Sequence, residues 1–510
     1  VNESLSVDVA VVGAGFGGSL TALILNRIGF RVAVLERGRH PRFALGESST
    51  PTADLVLRDL ARRYDLPFLN SLSRYGDWLQ SCPDIIRGPK RGFSYFSHQA
   101  NHEFECHADH RNELLVAASH SQASADTHWL RSDVDSFFVQ QLESAGISYF
   151  DQTEVTVEDD RPSWQLVGSR EDGTSLFIQA AFLIDATGEA SFLPKTFGLK
   201  QLGDRMRTNS QAVFAHMEGV LPWETMLQQQ DARTIDHPFP CDAAALHHLL
   251  HVGWMWQLRF DNGVTSVGIA TNSKASPLNP KLSATDQWNQ TLNRYPSLAK
   301  QFASSRIVAP KNEICRTGRL QRQWSQLSGL NWALLPHTAG FVDPLYSSGI
   351  AHTVCGIERL CHLLEQHWLR DSLEIVLDHY ASTIRSELDL LDELVAGSYA
   401  AMNDFSLFVP YSMLYFAAAT TYETNRLRSS FTPEMAILCA DNQPFREVVT
   451  QVTGELRRVV NSERSDRTSC HFFETVATAI APYNTAGLCD TSVNNMYRYT
   501  AVEKSHSHRA

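Results

Sequence analysis

Hydrophobic positions change their rhythm along the chain, and the changes divide it into regions. Residues 7–12 (VDVAVV) form a short β-branched apolar run, suited to a strand buried on both faces of a parallel sheet. A helical pattern follows over Ser19–Ile28, then Gly29, then a second apolar run over Arg31–Leu35. The buried-strand signature returns at residues 181–185 (AFLID), and again at Trp332, where a strand leads into a turn-rich loop and a helix expected over Ile350–Gln366. Between these lie strand candidates at Gln211–Glu218, Trp254–Phe260 and Val264–Ala270, the last two joined into a hairpin by Asp261-Asn262-Gly263. From residue 373 the period is helical, with helices expected at Ser372–Tyr380, Ile384–Tyr399, Pro433–Ala440 and Phe445–Val459. The pattern predicts an α/β fold: a Rossmann-type unit, an antiparallel sheet set into it, and a helical C-terminal region.

Composition narrows the function classes. The 510 residues are 43% apolar and 20% charged, an ordinary globular balance, and the length suggests about three domains at ~150 residues each. With 44 basic against 56 acidic residues the net charge is −12, which argues against non-specific nucleic-acid binding. Nine cysteines, an odd count without a C-x-x-C pair, argue against a disulfide framework or a structural zinc site. Cys106-His107 and His506–His508 have no companion ligands at metal spacing, so no metal is expected. The opening VNESLSVD lacks a charged n-region, and the uncharged stretch at residues 9–25 holds four glycines and reads as strand-turn-helix rather than a membrane span. The cytoplasm is the simplest location. Phe405–Tyr422 is apolar and aromatic, suited to capping a core or lining a hydrophobic substrate pocket. Asn461–Thr468 reads as a polar linker, Asn494–Tyr499 as a segment packing back on the body, and Glu503–Ala510 as a frayed tail.

The first strand runs into Gly13-Ala14-Gly15-Phe16-Gly17-Gly18, a G-x-G-x-x-G fingerprint, and Glu36 closes the second strand 18 residues after Gly18. Gly13 permits the tight turn, Gly15 lets backbone approach a pyrophosphate, and Gly18 lets helix and strand pack closely. The helix N-terminus offers free N–H groups to phosphates, and Glu36 offers acceptors to a ribose. Strand, turn, helix, strand and acid agree on a dinucleotide site. Gly46-Glu47-Ser48-Ser49-Thr50-Pro51, with Arg37 and Arg42 upstream, could flank a cofactor or cap a helix.

Together these segments resemble the flavin-dependent halogenases, a branch of the p-hydroxybenzoate-hydroxylase-like FAD monooxygenases, over most of the chain. The fingerprint (Gly13, Gly15, Phe16, Gly17, Gly18) with Glu36 and Arg37 looks like the family's FAD adenosine site. Gly46–Pro51, with Ser48 and Ser49, looks like its G-E-S-x-x-P loop, Arg131 of Arg131-Ser-Asp-Val-Asp135 like its R-x-x-x-D turn, and Asp185–Gly188 like its D-A-[ST]-G element. Gly340–Ile350 (GFVDPLYSSGI) looks like the loop facing the flavin ring, implying cofactor contacts for Asp343, Gly349 and Ile350 and a halide beside Ser348 and Gly349.

The resemblance implies a flavin hydroperoxide whose distal oxygen is attacked by halide, and hypohalous acid that reaches Lys90 of Gly88-Pro89-Lys90-Arg91-Gly92-Phe93-Ser94-Tyr95-Phe96. On residue chemistry alone Lys90 is a solvated turn lysine; with the resemblance it becomes a candidate that holds the oxidant. Glu47 is an acid near the reaction or a brace of its loop. Trp254 and Trp256, in Gly253-Trp-Met-Trp-Gln-Leu-Arg259, either form the wall between flavin and substrate or pack as core. Three positions depart from the family. Leu258-Arg259 replace Ile-Pro, Pro336-His337 replace the Gly-Asp that holds the ribityl chain, and Tyr346 stands where halogenases of free tryptophan carry Glu. An aromatic residue at Tyr346 resembles the branch acting on phenols or pyrroles, often tethered to carrier proteins. A separate flavin reductase usually supplies reduced FAD. His251 and His352 are assigned no role.

The expected division places residues 1–88, 127–205 and 310–370 in the FAD unit, 89–126 and 206–309 in the substrate-domain sheet, and 371–510 in the helical region. A flavin monooxygenase or dehydrogenase on the same fold, and a non-catalytic flavin- or ligand-binding protein, are the alternatives.

Overall fold

A computed structural model describes residues 3–159, 163–170, 173–251, 253–275, 277–429, 431–461 and 466–502. The tail from 503 and part of the 461–468 segment lie outside them.

Strand Glu3–Val12 pairs in parallel with Val32–Leu35 on one side and with Ser175–Asp185 on the other. Ser175–Asp185 continues in parallel to Trp332–Leu334, and Val32–Leu35 to Ser148–Phe150. Helix Phe16–Ile28 crosses between the first two strands, giving the βαβ unit that the sequence predicts. Residues 9–12, Val32–Leu35 and Trp332–Leu334 are apolar and buried throughout, because both faces of the sheet are covered there.

A second, nine-stranded sheet contains Gly92–Ser97, Glu113–Ala117, Ser210–Glu218, Ala245–Leu250, Gly253–Arg259 and Val264–Asn272. It is mixed rather than purely antiparallel. Ala245–Leu250 runs parallel to Gly92–Ser97, and Met496–Tyr497 returns from the far end of the chain to run parallel to Glu113–Ala117 at the edge.

Period-two alternation sorts this sheet's side chains into two cores. Phe93, Tyr95, Leu114, Val116, Trp254, Trp256 and Leu258 join the large core shared with the parallel sheet and the C-terminal helices. Phe96, Leu115, Ala117, Met255, Leu246 and Leu250 join a separate core on the opposite face, with Trp223 and Phe239.

The C-terminal region departs in detail from its pattern. A single helix, Leu373–Ala401, replaces the two expected at Ser372–Tyr380 and Ile384–Tyr399. No Gly or Pro breaks residues 381–383, so nothing stops helix propagation there. The helix expected at Pro433–Ala440 is only a 3₁₀ turn at Ile437–Cys439, with Leu438 in the left-handed region at φ 56°. The apolar stretch from Phe405 is the buried start of helix Phe405–Arg428, and Gln443–Val460 packs alongside. None of the described helices is long and apolar enough to cross a membrane.

Candidate active site

The nucleotide end is built by close approach. Gly13 has φ +102°, and a Cβ there would stand 2.6 Å from Ala186 O, so the turn and the Asp185–Gly188 segment meet backbone to backbone. The Glu36 carboxylate accepts from Ala14 N (2.9 Å) and Gly38 N (2.8 Å), with Arg42 at 3.3 Å. Burial raises the Glu36 pKa, but the Arg42 charge and the two backbone donors outweigh it, and it lies below the usual range. Helix Phe16–Ile28 begins at Gly15 without a side-chain cap of its own. Phe16 N donates to Asp135 Oδ1 at 3.1 Å, and Asp135 also accepts from Arg131 Nε (2.9 Å) and Nη2 (3.0 Å). Arg131 Nη1 reaches Leu45 O and Gly46 O, at 2.8 and 3.1 Å. Arg131 thus braces the loop at residues 46–51, and its guanidinium and that of Arg42 lie beside Gly15. Two guanidiniums beside a helix N-terminus, with Asp135 on the amide of Phe16, suit a pyrophosphate. Arg37 is exposed, and Arg42 holds the inward place.

Two sequence candidates direct their polar groups to the chain itself. Asp185 accepts from Thr187 N (2.9 Å), Thr187 Oγ1 (2.7 Å) and Leu193 N (2.7 Å), which fixes the turn carrying Gly188. Asp343 accepts from Leu345 N (3.1 Å), Ser210 Oγ (2.5 Å) and Tyr399 Oη (3.0 Å), knitting the 340–350 loop to the second sheet and to helix Leu373–Ala401. Burial pushes the Asp343 carboxyl up to about 6.

His337 sits between helices Phe16–Ile28 and Ser348–His367. A Cβ on Gly17 would lie 2.9 Å from His337 Cε1 and 3.1 Å from Thr353 Cγ2, so glycine at 17 is what lets the two helices converge. Nε2 donates to Ala186 O at 3.1 Å, and burial lowers the His337 pKa to about 4, leaving the ring neutral. Nδ1 is then a buried acceptor, without a partner among the described residues. The exchange of carboxylate for imidazole keeps an acceptor at this place and removes a charge. Ser48 Oγ and Arg42 Nε are likewise buried and unpartnered. Helix Ser348–His367 starts after Ser347 at φ 53°, with no side-chain cap; Ile350 is buried, and Gly349 is exposed with open space where a Cβ would be. These orphaned polar groups, the paired guanidiniums and the two helix N-termini, that of Ser348–His367 with no side-chain cap, fit an FAD.

Lys90 is wholly buried, which overturns the solvated-turn reading of its residue chemistry. It ends strand Arg87–Lys90, in register opposite Asp126 on Asp126–Trp129. Loop 47–49 zips onto the same strand through Trp129 N to Glu47 O (2.6 Å) and Ser49 N to Thr127 O (3.0 Å). This brings Ser49 O to Lys90 Nζ, which donates to it at 2.5 Å and lies 4.2 Å from the Phe93 ring centroid. Burial lowers the Lys90 pKa to about 8 against the opposing pull of Asp126, Asp54 and Glu423. Burial also raises Asp126 to about 6, raises Asp54, and pushes Glu423 up to about 8. Glu47 instead pairs with His216 Nε2 at 2.7 Å, joining its loop to strand Ser210–Glu218.

Beside Lys90 the large-core face of the second sheet meets the C-terminal helices in a block of aromatic rings. Tyr95 stacks on His247 at 4.5 Å, and Trp254 lies 5.2 Å from His247 and 5.8 Å from Trp256. Tyr346 stacks on Tyr415 at 4.2 Å, and Phe93 packs on Phe416 at 5.5 Å. The Tyr95 hydroxyl is buried without a partner among the described residues. Trp254 Nε1 donates to Tyr399 Oη at 3.0 Å, and Tyr399 donates on to Asp343. Both tryptophans pack in the core, within this block of aromatic rings. Arg259 lies on the other face of the same strand, bound to Asp242 (2.7 Å), Val220 O (3.0 Å) and Leu221 O (2.5 Å). Of the changed Leu-Arg end of the tryptophan motif, Leu258 stays in the large core with the tryptophans and Arg259 is an anchor on the opposite face.

Asp54, Asp126, Glu423 and Tyr95 were not singled out by the sequence. The first three come from distant segments and carry no motif; only the unexpected burial of acids in apolar surroundings could have marked them.

A family model described as tryptophan halogenase matches residues 94–406, and one described as an NAD(P)-binding Rossmann-like domain matches residues 11–75. A tetracycline 7-halogenase from Kitasatospora aureofaciens is 28% identical over 436 residues, covering 83% of this chain and 75% of its own. A monodechloroaminopyrrolnitrin halogenase from Pseudomonas fluorescens is 26% identical over 487 residues, covering 90% and 82%. Among solved structures, the halogenase PltM in complex with phloroglucinol and FAD superposes with a TM-score of 0.84 at 22% identity, over 97% of this chain and 100% of that one.

Proposed function

Because this chain belongs to the tryptophan halogenase family, we propose that it is an FAD-dependent enzyme that places halogen on an electron-rich aromatic ring of phenol or pyrrole type. The observation that carries the reading is Lys90: an amine with no exposure, at the edge of a block of aromatic rings, donating to one carbonyl, over one ring face and facing the buried acids Asp126, Asp54 and Glu423. Removing an ammonium from water costs several kcal/mol, so a lysine placed there needs a reason beyond packing. Relatives acting on tetracycline and pyrrolnitrin precursors, and a neighbour holding phloroglucinol, support an aromatic substrate.

Bound FAD, reduced by a separate reductase, supplies with oxygen the oxidising equivalents that convert halide to an electrophilic halogen. The chain's part is to bind, orient and exclude water. Glu36, Arg42, Arg131 and the glycine turn would hold the dinucleotide, and His337 Nδ1 would offer it a buried acceptor. The first turn of helix Ser348–His367 receives the halide near Ser348 and Gly349. Lys90 Nζ donates a hydrogen bond to the electrophilic halogen species and points it at the ring. The ring forms a carbon–halogen bond and loses a proton. Tyr95 Oη meets a substrate hydroxyl or N–H. Tyr346, paired with Tyr415 and hydrogen-bonded to Ser398, offers a ring face where a free amino acid would need a charged partner.

Purified protein with FAD, a flavin reductase, oxygen, bromide and a resorcinol- or phloroglucinol-type phenol should yield product heavier by bromine-for-hydrogen exchange in mass spectrometry. Lys90→Met, which keeps the packing volume, should lower product by roughly 10²-fold or more while oxygen still reoxidises the flavin. A product that gains oxygen instead of halogen overturns the reading.

A further inference from the structure

On the face of the second sheet remote from the block of aromatic rings, folding gathers residues that have no common motif in the sequence. His110 Nδ1 lies 2.9 Å from Glu113 Oε2, and His237 Nε2 lies 3.1 Å from the same oxygen. All three side chains are buried, and their donor atoms lie within 4.8 Å of one another. The outer nitrogen of His110, Nε2, is 3.3 Å from Asp236 Oδ2. The outer nitrogen of His237, Nδ1, is buried and has no hydrogen-bond partner among the described residues.

We propose that His110, Glu113 and His237 form a binding site for a divalent transition metal of the zinc class. Two imidazoles and a carboxylate are a borderline set suited to zinc, with cobalt and nickel as competitors. The two nitrogen-to-oxygen separations, 2.9 and 3.1 Å, match edges of a tetrahedron with bonds of about 2 Å. Asp236 on the far nitrogen of His110 is the carboxylate that commonly orients a metal-bound imidazole. On binding, each neutral imidazole carries its proton on the outer nitrogen, which for His110 faces Asp236, and gives the lone pair of the inner nitrogen to the metal beside the Glu113 carboxylate.

A second set, Glu224, His237 and Cys241, also has its donor atoms within 4.8 Å. It is the poorer site, because Glu224 Oε2 already accepts from Cys241 N at 2.9 Å and burial keeps the Cys241 thiol protonated. The metal would act as a clasp. Asn495 Nδ2 donates to His110 O (3.2 Å) and Arg498 Nη2 to Asp236 O (2.5 Å), so both sides of the site already grip the returning C-terminal segment.

The full-length protein, stripped with chelator, is titrated with zinc chloride beside His110→Gln/His237→Gln and Glu113→Gln. Glu113→Gln keeps the side-chain shape and removes the charge. The parent should bind one more zinc per chain than either variant, and zinc should raise the Tm of the parent alone. Zinc held by the terminal histidines is common to all three proteins and cancels. Cobalt chloride should give weak visible d–d bands without an intense near-ultraviolet sulfur band. Equal zinc stoichiometry in the parent and in a Glu113→Gln variant of unchanged circular dichroism overturns the proposal. So does a sulfur-to-cobalt band that disappears with Cys241→Ser.

Discussion

At the scale of single residues, the environment of Lys90 decides which acids near it carry charge. Glu423 accepts from Thr52 Oγ1 at 2.9 Å and is otherwise enclosed, and burial lifts it to about 8 from 4.5. Between those two values the folded chain keeps a proton that the unfolded chain releases. The contribution of Glu423 to stability is therefore fully present below pH 4.5 and is lost as pH rises towards 8. Glu423→Gln preserves an acceptor for Thr52 and removes the titration. Its Tm should match the parent near pH 5 and exceed it by a margin that widens up to pH 8, as differential scanning fluorimetry across that range would show. A constant offset would mean that Glu423 is already ionised at pH 5. His337 follows the same logic with the opposite charge type: burial lowers its pKa to about 4, so it stays a neutral acceptor at working pH.

At the scale of elements, one strand explains both tryptophans and the departure from the family motif that follows them. Gly253–Arg259 puts residues 254, 256 and 258 towards the large core and 255, 257 and 259 away from it. The Trp256 ring lies over the facing strand at Gly268, where a Cβ would approach to 2.2 Å, so the pair needs a glycine across the ladder. Arg259, on the other face, ties the Val220–Leu221 turn and Asp242 to the sheet. Arg259→Leu should therefore lower stability by about 1–3 kcal/mol through the lost charged hydrogen bonds, read as a fall in Tm, and leave halogenation per folded molecule unchanged. Restored or increased turnover would place the residue among the aromatic rings after all. This strand was legible beforehand, because alternation and the Asp-Asn-Gly turn are local signals. The βαβ unit was legible for the same reason. Lys90 was not, since its burial depends on Ser49, Phe93 and Asp126 arriving from other elements. Helix limits near residues 380 and 433 were also hidden, because neighbouring packing rather than a local stop signal sets them.

At the scale of the whole molecule, the last described segment completes a sheet begun some 400 residues earlier in sequence. Met496 pairs with Leu115 and Tyr497 with Val116, and Leu115 N donates to Asn495 O at 3.0 Å. Met496 enters the far-face core, and Thr500 Oγ1 donates to Ala117 O. The sequence showed only that residues 494–499 pack back on the body; register with so distant a strand has no local signature. The consequence is specific. Without this segment Glu113–Ala117, apolar at Leu114, Leu115 and Val116, becomes an open edge with unpaired backbone groups, a template for pairing with other chains. A stop codon after Leu488 should therefore speed hydrogen exchange at the Leu115 amide, lower the Tm and promote concentration-dependent aggregation. FAD should still bind, because Gly13–Gly18, Glu36 and Arg131 lie on the other sheet and its helices. Unchanged exchange at Leu115 in the shortened chain would show that the edge is protected by something other than the returning strand.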